Sequence, residues 1–190
     1  MKLEDIEILH ALHEWKVEAD YSSAVRLLEP FVRQLEQKED SLANRNKYYR
    51  PLSYLKEKLL LWEIKQQVDS VNVSDSVRPY LKKDMLGGVY CDDGRRTYYW
   101  EGNQMINTLI AYRIIKNDPS LCKLKENMQL YILRTKERGW NTYQASSAVA
   151  TVLTDLLAGS GGMSGTLVSV SGKDHQRITE FPYHARLTAG

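Results

Sequence analysis

The sequence predicts an all-α fold, with six or seven helices paired into antiparallel hairpins and a short β tail. Apolar residues recur at i, i+3 and i+4 in segment after segment, the spacing of an amphipathic helix. The stretch from Thr142 to Leu156 carries Ala145, Ala148, Val149, Val152, Leu153 and Leu156 on one face and only Ser146, Ser147, Ala150, Thr151 and Thr154 on the other. No Lys, Arg or Glu falls between Trp140 and Asp155, although 26% of the chain is charged. A helix without a solvated face is packed on most sides, so this one is expected to be the inner, most buried helix of a ring or layered domain.

The first helix is expected over residues 5–18, with Ile6, Leu9, Leu12 and Trp15 inward and acids at its start, where the helix dipole favours them. Ser22 or Ser23 can cap the second, whose stripe is Ala24, Leu27, Leu28, Phe31 and Leu35. Pro30 removes a backbone hydrogen bond and is expected to kink that helix or divide it at Glu29, with a polar loop from Gln37 to Asn46. A long helix follows over Leu52–Val68, with Pro51 and Leu52 at its first turn and Leu55, Leu59, Trp62 and Gln66 sharing a face. Ser74–Met85 reads as a short helix with Val77, Leu81 and Met85 inward, stopped by Gly87-Gly88.

Val89-Tyr90-Cys91 and Thr97-Tyr98-Tyr99-Trp100 flank Asp92-Asp93-Gly94, which predicts a hairpin around a turn. Asn103 caps the next helix, with Ile106, Leu109, Ile110 and the stem of Arg113 on one side. Asp118-Pro119 starts another, running through Leu121, Leu124, Met128, Tyr131 and Ile132 to about Glu137. The helix from Thr142 closes at Gly159, and 159–165 is a Gly/Ser linker. Residues 166–190 lean towards β structure through Leu167, Val168, Val170, Ile178, Phe181 and Leu187, and a short β-hairpin is expected there. One or two strands bury no core of their own. This tail therefore either lies on the helices or is the start of a truncated β-domain cut off by the chain end, which would make the chain a segment of a longer protein.

Composition limits the function. A net charge of +2 makes no electrostatic claim on nucleic acid, and Lys82-Lys83 and Arg95-Arg96 read as solvated basic pairs. No run of eighteen apolar residues marks a membrane span. Twelve Tyr against two Phe favours rims and partly wet cores, where a ring is buried and its hydroxyl kept at a polar boundary. Cys91 and Cys122 are too few for a disulfide framework or a four-cysteine zinc site.

No candidate chemistry outweighs its structural explanation. His10, His13 and Glu14 share a helix, but no spacing marks a third metal ligand. Cys91-Asp92-Asp93 mixes soft and hard ligands, yet Asp-Asp-Gly is ordinary turn chemistry. Neither a nucleophile elbow nor a phosphate loop is present. A helical-ring enzyme acting on isoprenoids needs several convergent acids, which the loop pair Asp92-Asp93 does not supply by itself. That cyclase- or transferase-like enzyme stands as the alternative, with a free-standing helical scaffold beside it. No catalytic, cofactor-binding, metal or thioester residue is therefore assigned, and no cofactor is expected.

From about Gly87 to Ala158 the chain resembles the last hairpins of the thioester-domain α/α toroid in bacterial alpha-2-macroglobulin-like proteins. The resemblance is carried by Gly88-Val89-Tyr90, by Thr97-Tyr98-Tyr99-Trp100 leading into the helix from Asn103 to Ile115, by Tyr131-Ile132-Leu133-Arg134-Thr135-Lys136, and by Gly139-Trp140-Asn141-Thr142-Tyr143-Gln144-Ala145 with its Ala/Ser-rich helix. It implies a toroid-like domain over 1–158 in a large extracytoplasmic protein, periplasmic or surface-attached, of the protease-trap type used in host defence or envelope protection. The implied partners are proteins, proteases among them, and the remainder of the parent chain. The family's reactive Cys-Gly-Glu-Gln run does not occur here: Asp92-Asp93-Gly94 follows Cys91 and Lys123-Leu124-Lys125 follows Cys122. The expected function is a non-catalytic interaction or structural segment, not an enzyme.

Overall fold

The computed structural model describes residues 1–97, 104–136, 141–159, 166–169 and 175–178. They are mostly helical, and the chain divides into two compact units, Met1–Ala148 and Val149–Gly190. In the first unit the order is α1 (Glu4–Glu14), α2 (Tyr21–Arg45), α3 (Leu55–Val68), a single turn α4 (Ser74–Val77), strands β1 (Leu81–Lys83) and β2 (Val89–Cys91), then α5 (Gln104–Ile115), α6 (Cys122–Thr135) and α7 (Thr142–Ala148).

The core of this unit is built on α3 and α5. Leu55, Leu59, Leu60, Leu61, Glu63 and Ile64 of α3 are buried, so its apolar surface wraps the helix instead of lining one face. In α5, Met105 and every residue from Asn107 to Tyr112 are buried, as are Ile114 and Ile115. Full burial of each such aliphatic side chain contributes roughly 1.5–3 kcal/mol. Helix α3 packs against α1, α2 and α5, and α5 packs against α3, β2, α6 and α7. Helices α2 and α6 are amphipathic covers, burying Val25, Leu28 and Val32 from one and Met128, Tyr131 and Ile132 from the other.

Several expectations are corrected. Helix α1 ends at Glu14, and Trp15 is 77% exposed while His10 takes the inward place. Asp20, not Ser22 or Ser23, caps α2, its side chain accepting from the Ser23 N–H at 3.0 Å. Pro30 neither divides α2 nor is followed by a loop: the helix runs unbroken through Gln37 to Arg45, and Leu27 points to solvent. Pro30 is exposed, on the side of α2 away from the buried row, where Val25, Leu28 and Val32 hold the helix down across the missing bond. Helix α3 starts at Leu55, because Leu52 instead forms a parallel bridge with Arg96.

The hairpin is also re-paired. Tyr80 ends a short 3-10 turn, and Leu81–Lys83 is a strand that pairs antiparallel with Val89–Cys91, where a helix to Met85 was expected. Met85 lies fully exposed at the tip. Gly87 takes φ +83°, which glycine adopts without steric cost. A Cβ on Gly88 would sit 2.8 Å from the Asp84 carboxylate and 3.1 Å from Cβ of Tyr131, so α6 leaves room only for hydrogen. The ring of Tyr90 stacks on Tyr131 at 5.2 Å. The expected partner strand Tyr98–Trp100, the Asn103 cap, Glu137 and Trp140 lie outside the described residues. Asp118 does cap the segment before α6, accepting from the Ser120 N–H at 3.0 Å, with Pro119 next.

The segment expected to be the innermost helix is not one regular helix. Helix α7 gives way to a π-helical turn over Val149–Leu153, followed by α8 (Thr154–Gly159). A π turn adds a residue to the helical repeat and rotates the faces that follow. Ala148 and Val152 are buried as expected, but Thr151 is buried from the opposite stripe, and Ala150 and Leu156 are exposed. Among the described residues α5, not this segment, is the most completely enclosed helix. In the second unit, β3 (Thr166–Ser169) and β4 (His175–Ile178) form an antiparallel hairpin, with Thr166 opposite Ile178 and Ser169 opposite His175. The linker residues 160–165 and the expected contributors Val170, Phe181 and Leu187 lie outside the described residues.

Candidate functional site

The most deeply buried charge in the described structure is Glu63, at the centre of α3. Its side chain is 4% exposed. The sequence places it inside the run Leu59-Leu60-Leu61-Trp62-Glu63-Ile64, among the buried apolar residues of the helix and away from Lys58 and Lys65. A carboxylate there needs partners on neighbouring elements, and it finds two. Arg113 of α5 grips it bidentately, Nε to Oε1 at 2.6 Å and Nη2 to Oε2 at 2.8 Å. His10 of α1 donates Nε2–H to Oε2 at 2.8 Å. Burial alone would raise the Glu63 pKa, but the hydrogen bonds and charges of Arg113 and His10 overcome it and bring the pKa down to about 2. The carboxylate thus stays ionised, with both oxygens occupied, as a joint between three helices.

The same geometry disposes of the histidine pair on α1. His10 lies 3.9 Å from Glu14, but its Nε2 is committed to Glu63, and the ring of His13 meets Tyr21 edge-on at 5.0 Å. Among the described residues no three His, Cys, Asp or Glu side chains converge in a way that could hold a metal ion. Sequence reasoning missed Glu63 and saw only the aliphatic stem of Arg113. The available signal was a lone acid within an unbroken apolar run.

Asp92-Asp93-Gly94 does form a turn, with Gly94 at φ +74°. Asp92 Oδ1 accepts from the Gly94 N–H at 3.0 Å and its Oδ2 pairs with Lys82 at 3.1 Å. Asp93 Oδ1 accepts from the Arg95 N–H at 3.0 Å and its Oδ2 from the Ser53 hydroxyl at 2.7 Å. Both carboxylates therefore serve the loop and its neighbours. Cys91 is wholly buried beside them, and its N–H donates to Thr108 of α5 at 2.9 Å. Burial, then the charges of Asp92 and Asp93, push the Cys91 thiol up to about 12, which keeps it from acting as a thiolate nucleophile near neutral pH. Cys122 is exposed at the start of α6. No helix of the described residues is long and apolar enough to cross a membrane. Comparison with protein-family models, with curated proteins and with solved structures finds no match to this chain.

Proposed function

We propose that the chain is a non-catalytic interaction and structural segment of a large alpha-2-macroglobulin-like protein of the protease-trap type, working outside the cytoplasm. The observation that carries the non-catalytic part is the use made of Glu63: the most deeply buried acid among the described residues has both oxygens spent on Arg113 and His10. Asp92 and Asp93 are spent in the same way on the turn that follows β2, and the Cys91 thiol is wholly buried. The toroid rests on the aromatic-turn-helix resemblance. It is supported by two enclosed helices, α3 and α5, each adjoined by an amphipathic one, α2 and α6, since such an alternation of inner and outer helices suits a ring of hairpins. The β3–β4 hairpin, too small to bury a core, fits the first strands of a following β-domain. The partners are then the rest of the parent chain and other proteins, proteases among them.

Tagging the native locus with an epitope tests the reading in one blot. The expected result is a band far heavier than the 21.9 kDa of these residues, in the envelope or periplasmic fraction. A band near 21.9 kDa in the cytosol would contradict it.

A further inference from the structure

We infer that an arginine-lined cleft beside the Asp-Asp-Gly turn binds a tetrahedral oxyanion of the phosphate or sulfate class. The cleft holds about 440 Å³ and is lined by Tyr49, Arg50, Pro51, Gly94, Arg95 and Arg96. Three arginines from two separate stretches of chain thus line one space of ordinary ligand-pocket size. What brings the stretches together is backbone pairing: the Arg96 N–H donates to the Pro51 carbonyl at 3.1 Å, and the Ser53 N–H donates to the Arg96 carbonyl at 2.8 Å. Behind them Glu39, itself buried, accepts from the Tyr49 hydroxyl at 2.7 Å and the Leu52 N–H at 2.9 Å, which fixes the wall that bears Arg50.

The charges are poised unequally. Arg95 is held by Asp40 through Nη2 at 3.0 Å, which leaves Nη1 buried with no hydrogen-bond partner. That nitrogen has no surface open to the cleft, so the charge a ligand can meet lies with Arg50 and Arg96 and with the exposed part of Arg95. Arg50 and Arg96 are exposed, and no acceptor within the described protein engages either side chain. The nearby acids are already committed, Glu39 to Tyr49 and Leu52, Asp93 to Ser53 and the Arg95 N–H, and Asp40 to Arg95. A tetrahedral dianion offers enough oxygens to engage three guanidinium groups at once, whereas a monocarboxylate offers two.

The test is an amide NMR titration of the full chain with inorganic phosphate, sulfate and acetate, each compared with chloride at matched low ionic strength. Saturable shifts centred on Arg50 and Gly94–Arg96 with phosphate or sulfate, and not with acetate or chloride, are expected. Arg50→Gln and Arg96→Gln should each weaken binding about tenfold, the loss of one charge-assisted contact. Both side chains lack protein partners, so an unchanged circular dichroism spectrum is expected for each. Lys83→Gln, an exposed charge on β1, should leave the affinity unaltered. Shifts that follow ionic strength alone, or an affinity indifferent to both arginine substitutions, would overturn the site.

Discussion

Glu63 shows how one residue can set both the strength and the pH range of a fold. Breaking a buried ion pair by neutralising one partner costs about 3–5 kcal/mol, because the other charge is left unpaired. Glu63→Gln is therefore expected to lose about that much in urea unfolding at pH 7. The sign of the pH effect follows from the depressed pKa. The native group titrates near 2, below its ordinary value of 4.5, so its contribution is complete above about 4.5 and fades as the pH falls towards 2. Unfolding followed between pH 5 and 2 should show a steep acid limb in the wild type and a shallower one in Glu63→Gln. Equal acid limbs would mean that the carboxylate is not held by His10 and Arg113.

At the scale of elements, Pro30 makes the sharpest test. Proline inside a helix costs up to roughly 3 kcal/mol relative to alanine, through the lost hydrogen bond and the ring clash. Because α2 continues unbroken from Tyr21 to Arg45 and Pro30 is exposed, Pro30→Ala should stabilise the chain by roughly 1–3 kcal/mol in urea unfolding. No gain, or a loss, would show that the helix is in fact divided there. This element also shows where the sequence was silent. The proline's local preference was legible, but the anchoring of the helix on both sides of it by Val25, Leu28 and Val32 against the rest of the unit was not. The Asp118-Pro119 start and the tail hairpin were legible because each rests on short-range chemistry. Strand β1 was not, since Leu81–Lys83 becomes a strand only by pairing with Val89–Cys91.

In the molecule as a whole, the helical class could be read from periodicity, but the location of its centre could not. The lack of charge from Trp140 to Asp155 pointed to that segment as the interior, and a π turn there redistributes its faces. Helices α3 and α5 carry charges, Glu63 and Arg113, that cancel each other inside the core, and no single-helix pattern records such a cancellation. The arginine cleft was hidden for a similar reason: Arg50 and Arg95-Arg96 are far apart in sequence and meet through the Leu52–Arg96 bridge. Native-state hydrogen exchange tests the central claim, that α3 and α5 joined through Glu63 form the heart of the fold. The amides of Leu59–Ile64 and Asn107–Ile114 should exchange only through global unfolding, more slowly than those of α1 or of residues 142–156. Slowest exchange in 142–156, with α3 and α5 opening at lower free energy, would contradict it.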